Sequence, residues 1–371
     1  MSSAKRQDTK LKWTIYIVAM FCGLVFVVSK VDSLGKLFVS DSASYGDLYP
    51  ELGVRDFKTE RGPRHLPQWG GRNQVTPDSA EFILIGDSFL GTGGDRYPCG
   101  DELAIALDAP LIWLENGDPQ RYPLRALRGA GVHPDKERKV LLLECVERNF
   151  MYKYLNFTLE TAEETPAAGR SDYVAGALSL ARQIRDVWFS GAELRYQYLL
   201  NTSVFTAGFM EGVNTFKYRQ FDMMPQRFPV YSTNPPMVFS FFETDKTTPL
   251  SYFYQHSDRE IVQIAENLHK LAKVLDRDWN IELYVIPIPN KLTVYHELAT
   301  DVPYNNYLPR LQAELGMRGV SYVDVYSPFV LADERLYHLT DTHWNNSGMM
   351  LAVKEVAKAV GAAGTIQPKT S

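Results

Sequence analysis

Three continuous apolar runs constrain this chain more than any other feature of it. They are Phe82-Ile83-Leu84-Ile85, Leu111-Ile112-Trp113-Leu114 and Val140-Leu141-Leu142-Leu143. Short runs without alternation suit strands buried on both faces, as in a parallel sheet covered by helices. A fourth run, Ile281–Ile286, stops at Pro287, and a fifth covers Tyr322–Tyr326. Helical patterns fall between several of them. The clearest opens at Ser257, with Glu260 three residues on completing a capping-box signature. Behind it, Ile261, Ile264, Leu268, Leu271 and Leu275 recur on one helical face. Strands alternating with helices predict an α/β fold: an open, parallel, five-stranded sheet with flanking helices and its chemistry at the strand carboxyl ends.

The chain has 371 residues, 45% hydrophobic and 22% charged, which supports a sizeable core. A net charge of -5 offers no basic surface, so nucleic acid is not expected as a partner. The stretch between the third and fourth runs, 151–256, is too long for a simple crossover and is dense in aromatics. Trp188, Phe189, Tyr196, Tyr198, Phe205, Phe209, Phe216, Tyr218 and Phe221 all lie there. We expect a large inserted subdomain, mainly helical near 171–215 and irregular over 224–250. Its aromatics read first as that subdomain's own core and second as a platform for sugar rings. The expected organisation places the main domain at 81–150 and 257–371 and the insert at 151–256. A stalk and entry loop occupies 30–80.

The N-terminus reads as a single transmembrane helix. Lys5, Arg6, Lys10 and Lys12 precede an apolar run from Trp13 to Ser29, and Lys30 closes it. Such a run spans about 26 Å as a helix, and the flanking lysines can snorkel to the interfaces. The basic flank leaves residues 1–12 in the cytoplasm and sends the rest of the chain across the membrane. Small-residue sites near Ser40–Ser44 lie too far beyond the run for normal signal cleavage, so the anchor is expected to be retained.

Cys99 and Cys145 would then face an oxidising compartment, where either a disulfide or two buried thiols is open. Cys22 lies inside the apolar run. His65, His133, His256, His269, His296 and His338 show no metal-ligand spacing, and no Cys-x-x-Cys occurs. Neither a metal nor another cofactor is expected.

Two motifs carry chemistry. Gly86-Asp87-Ser88-Phe89 follows directly on the first run, which puts Ser88 on a tight strand-to-helix turn beside backbone N–H groups suited to a developing oxyanion. Alone this is a weak signal. Asp341-Thr342-His343-Trp344-Asn345 follows the fifth run and precedes a helix beginning near Ser347. Serine needs a base, imidazole supplies one at neutral pH, and a carboxylate fixes the imidazole tautomer. Ser88, His343 and Asp341 are therefore the candidate catalytic triad.

These segments resemble the SGNH hydrolase superfamily, whose sheet is flavodoxin-like, and within it the AlgX/AlgJ-like branch of polysaccharide O-acetyltransferases. Asp341-Thr342-His343-Trp344 is similar to that branch's D-T-H-W signature. Pro289-Asn290-Lys291 with Tyr295 resembles its P-x-K…Y stretch, and Glu144-Cys145-Val146-Glu147-Arg148 its E…E-R strand end. The resemblance covers about 81–150 and 280–360. In the alginate proteins D-T-H-W precedes G-D-S along the chain. Here the order is that of ordinary SGNH enzymes, and the glycan's identity does not carry over. The resemblance implies Gly117, Arg148 or Asn149 at the oxyanion or substrate, and Lys291 and Trp344 at the substrate. Arg148 pairing with Glu147 is the structural alternative.

The resemblance further implies a membrane-anchored, extracytoplasmic O-acetyltransferase of the inner membrane, with its catalytic domain in the periplasm. Ser88 would take acetyl from an MBOAT-type membrane acyltransferase and pass it to an exported polysaccharide. A carbohydrate esterase with the same triad, and a non-catalytic glycan-binding assembly protein, are the alternatives.

Overall fold

The computed structural model describes Trp13, Tyr16, Met20 and residues 45–58, 75–90, 99–114, 118–134, 137–159, 200–203 and 206–362. Phe82–Ile85 (β1), Leu111–Leu114 (β2), Lys139–Val146 (β3), Ile281–Ile288 (β6) and Ser321–Tyr322 (β7) are the strands of its main sheet. Their order is β2-β1-β3-β6-β7 and every pairing is parallel. Each central strand sends alternate residues to opposite faces. Leu84, Leu142 and Ile286 pack on one side with the helices Cys99–Leu107 and Asn346–Ala362. Ile83, Leu141 and Val285 pack on the other with Pro123–Gly129, Asp258–Trp279 and Tyr307–Met317. This is the expected α/β layering.

The chain leaves β1 toward β2 and then returns to the other side of β1 as β3. The carboxyl ends of β1 and β3 therefore form the switch point of the sheet, where open α/β folds make their crevice. Gly86-Asp87-Ser88 and Glu144-Cys145-Val146 meet there.

The capping box forms as read. Ser257 Oγ accepts from Glu260 N–H, and Glu260 Oε2 accepts from Ser257 N–H at 2.8 Å. The five apolar residues of the helix behind it are all buried.

Two strand ends differ from expectation. β6 runs through Pro287 to Ile288. Residue 287 faces the same side as Val285, whose carbonyl takes the last bond from the β7 side, from Val323 N–H. Beyond that point no ladder bond is needed there, so a proline fits. β7 covers only Ser321–Tyr322 because Asp324 Oδ1 accepts the Ser327 N–H and starts the helix Tyr326–Val330.

Cys99 and Cys145 do not pair. Cys99 belongs to the core on one sheet face and Cys145 to the core on the other, so the sheet separates them.

The chain divides into two compact units, Met1–Glu60 with Thr165–Arg227 and Arg61–Glu164 with Phe228–Ser371. In the first, residues 45–58 pack on the helix Ala207–Phe221. Phe57 meets Tyr218 edge-on, Arg55 N–H donates to Thr215 Oγ1, and Tyr49 hydroxyl donates to Glu211. Phe209, Phe216 and Phe221 are exposed rather than forming the core expected of them. Trp188, Phe189, Tyr196 and Tyr198 lie outside the described residues, as does Phe205. In the second unit, the stretch expected to be irregular contains an antiparallel hairpin, Tyr231–Thr233 (β4) with Pro236–Val238 (β5), and the short helix Phe241–Thr244. Strands of three residues are too short to show periodicity.

Among the described residues no helix is long and apolar enough to cross a membrane. The Trp13–Ser29 run lies outside them except for Trp13, Tyr16 and Met20.

Candidate active site

Ser88 opens a single 3-10 turn, Ser88–Leu90, immediately past β1. Gly86 permits it, because a Cβ there would sit 2.3 Å from Leu90 Cδ1 and 2.4 Å from Glu144 Oε2. Asp87 holds the turn from both ends. Its N–H donates to Glu144 Oε2 at 2.7 Å. Its carboxylate accepts from Phe89 N–H (3.1 Å), Val146 N–H (3.3 Å) and Asn149 Nδ2 (3.2 Å). The Asp87, Phe89 and Leu90 amides of the turn are thus all engaged. Among the described residues none accepts the Ser88 N–H, which leaves it available to an oxyanion.

The candidate base, His343, arrives on a different scaffold. Tyr337 and Trp344 form an antiparallel bridge, with His338 N–H donating to the His343 carbonyl and Asn345 N–H to the Leu336 carbonyl. Asn345 Oδ1 accepts from Gly348 N–H and caps the helix Asn346–Ala362. The loop closed in this way carries Asp341, Thr342 and His343. Ser88 Oγ lies 2.8 Å from His343 Nε2, and His343 Nδ1 lies 2.6 Å from Asp341 Oδ1. Asp341 Oδ1 also accepts the His343 N–H at 3.0 Å. With Nδ1 protonated against this carboxylate, Nε2 is the acceptor that faces the serine hydroxyl. Asp341 is buried at 2% exposure, Ser88 is half-buried, and the Phe89 ring packs 4.9 Å from the imidazole.

The remaining expected site residues are placed differently. Lys291 is fully buried, and its ammonium donates to the carbonyls of Val238 (2.8 Å), Leu339 (2.7 Å) and Asp341 (3.1 Å). Three carbonyls match its three protons, so it anchors the base loop and is not presented to substrate. Trp344 is also buried, edge-on to Phe89 and packed on Phe329, and supports the candidate triad from behind. Asn149 braces the nucleophile turn through Asp87. Arg148 pairs with Glu243 (3.3 Å) and Asn290 Oδ1 (3.2 Å), not with Glu147, and its guanidinium lies over the Phe89 ring. Its charge is therefore met by a carboxylate of zero exposure rather than left for a substrate anion. Gly117 lies outside the described residues.

Sequence reasoning missed the carboxyl groups beneath these residues. Glu147 accepts from Asn290 N–H, Thr293 Oγ1 and Tyr304 hydroxyl, tying β3 to the start of the helix Lys291–Tyr295. Burial pushes its carboxyl above the usual range, opposed by those donors. Glu243 accepts from Arg148 and from Leu292 N–H. Nothing in its local sequence signals this, because it comes from a stretch assigned to the insert. Glu144 and Glu147 carried a signal only as the E…E-R strand end.

Residues 247–370 match the family described as "ALGX: SGNH hydrolase-like domain, acetyltransferase AlgX". The match contains Asp341-Thr342-His343-Trp344 and Pro289–Lys291 but not Ser88. It supports a likeness to the AlgX-like branch of the SGNH group and an enzyme of the acyl-transfer or hydrolase kind. No curated protein matches the chain.

Proposed function

We propose that this protein is a membrane-anchored, extracytoplasmic O-acetyltransferase that moves acetyl through Ser88 onto hydroxyls of an exported polysaccharide. The observation that carries the reading is the continuous line from Ser88 Oγ through His343 to Asp341, at 2.8 and 2.6 Å. Ser88 Oγ attacks the acetyl carbonyl of the donor as its proton passes to His343 Nε2. The oxyanion forms beside the Ser88 N–H, and Asp341 stabilises the imidazolium. Collapse expels the donor's leaving group, which takes the proton from His343. A sugar hydroxyl then gives its proton to Nε2 as its oxygen attacks acetyl-Ser88. The second collapse releases the O-acetyl sugar and returns the proton to Ser88 Oγ.

The donor in this reading is an MBOAT-type membrane acyltransferase, and the basic-flanked Trp13–Ser29 run holds the domain beside it in the inner membrane. Hydrolysis is the second reading. Ser88 is half-buried rather than sealed, so water can reach an acyl-enzyme there. Full-length protein given an activated acetyl ester should acetylate on Ser88, read by peptide mass spectrometry. Added polysaccharide should then speed turnover. Turnover indifferent to polysaccharide would make the enzyme an esterase, and a folded Ser88→Ala variant with wild-type turnover would remove the mechanism.

A further inference from the structure

Two acidic side chains meet under the nucleophile turn in different circumstances. Asp87 takes three N–H donors on its carboxyl oxygens. Glu144, at 1% exposure, takes one side-chain bond, from Asp87 N–H to Oε2 at 2.7 Å. Its Oε1 is buried with no partner. An ionised carboxylate in that position would bury a full negative charge on a single donor, beside the Asp87 carboxyl group. The cradle is specific, because the absent Cβ of Gly86 is what admits Oε2, and Gln120 Nε2 holds the Glu144 carbonyl at 2.6 Å.

We propose that Glu144 is a positioning residue held as a neutral carboxylic acid, and that in this form it seats the Ser88 turn for acyl transfer. The role rests on the proposed function of Ser88. The charged groups that Glu144 senses are Asp87 on the turn and Arg148 before the helix Asn149–Tyr154. Arg148 already shares its charge with buried Glu243, so it offsets little. Burial first, and Asp87 second, push the Glu144 carboxyl well above the usual range. A proton acid raised in the folded state stabilises the fold below its unfolded value and loses that contribution as pH rises through its folded value. Ionisation would set two negative charges against each other under Ser88 and loosen the turn. Protonation of the imidazole accounts for a loss on the acid side, so an alkaline loss calls for a further group.

The test is the rate of Ser88 acetylation by an activated acetyl ester, with full-length protein over pH 5–10. Wild type should show an alkaline fall in rate. Glu144→Gln keeps the oxygen for Asp87 N–H and cannot ionise, so it should retain neutral-pH activity and lose the alkaline fall. Glu144→Ala strands the Asp87 amide and should slow acetylation roughly 10- to 100-fold. If Glu144→Ala does not fold, the profile of Glu144→Gln decides alone. An unchanged alkaline fall in Glu144→Gln overturns the proposal, and so does activity as low as that of Glu144→Ala at neutral pH. The thermal unfolding midpoint over the same pH range separates this failure from failure of the Ser88 chemistry. Without any Ser88 acetylation the seating role falls. A midpoint that drops with rising pH in wild type and not in Glu144→Gln would then still show the neutral acid.

Discussion

The two arms of the site reach the same point by opposite electrostatics. The nucleophile arm, Gly86–Leu90, is held by carboxyl oxygens of Asp87 and Glu144 that collect backbone N–H groups. The base arm, Leu336–Asn345, is held by a buried ammonium, Lys291, that collects carbonyls. The difference follows from which backbone groups each turn leaves over. A strand running into a helical turn presents orphan N–H groups, which want an acceptor. An open loop that folds on a hairpin presents orphan carbonyls, which want a donor. The nucleophile arm relies on two acidic side chains, while the base arm adds to its own Asp341 and Asn345 one buried ammonium that takes three carbonyls.

Breaking the point where the arms meet should have the largest effect. Ser88→Ala and His343→Ala should each lower acetyl transfer by about 10⁴-fold or more, with the double variant little worse, because the members act as a unit. Asp341→Ala should cost less than either. Burst kinetics with circular dichroism on the same samples checks both activity and folding.

Removing the buried ammonium that braces the base arm comes next. Lys291→Met takes this donor from the Val238 and Asp341 carbonyls, while Leu339 keeps the Val238 N–H, and should cost about 2–4 kcal/mol of stability. Asn149→Ala removes one of three donors from Asp87 and should cost about 1 kcal/mol. Urea unfolding of the two variants measures the contrast, and equal costs would erase the asymmetry between the arms.

Each arm also depends on a glycine. A Cβ at Gly348 would sit 2.3 Å from the Leu336 carbonyl oxygen and 2.8 Å from Trp344 Cβ. A Cβ at Gly86 meets side-chain atoms of Leu90 and Glu144, which can shift. Gly348→Ala should therefore cost about 3 kcal/mol and Gly86→Ala about 1–2 kcal/mol, by the same unfolding measurement.

The smallest effect belongs to neither arm. His256 stacks on Tyr307 at 4.1 Å, and burial lowers its pKa from 6.5 to about 4. A base depressed in the folded state stabilises the fold above its unfolded value and loses that contribution as pH falls through its folded value. Stability should drop by roughly 1 kcal/mol between pH 6 and 5, and His256→Phe should flatten that drop. A drop that persists in His256→Phe would move the acid sensitivity to the arms.

Much of the sheet was legible because a strand buried on both faces must be apolar along its length, as 82–85 and 140–143 are. The 258–279 helix was legible because its cap and its buried face are both local patterns. Ser88, His343 and Asp341 could be picked out because each motif sits in a few adjacent residues at a strand end. Lys291 was misread for a physical reason. The resemblance put it at the substrate, and only the folded hairpin and the 339–341 loop bring three carbonyls to its ammonium.

By itself, the sequence determined what depends on neighbours along the chain: strand and helix periods, the capping box, and the residue types able to do acyl transfer. Tertiary structure alone decided the partners of Glu144, Glu147, Glu243, Arg148 and Lys291, and kept Cys99 and Cys145 on opposite sides of the sheet. A buried charge or thiol takes its meaning from whatever group the fold sets within a few ångströms of it. Here several of those groups are distant in sequence, as Arg148 and Glu243 are, and no local pattern encodes their meeting.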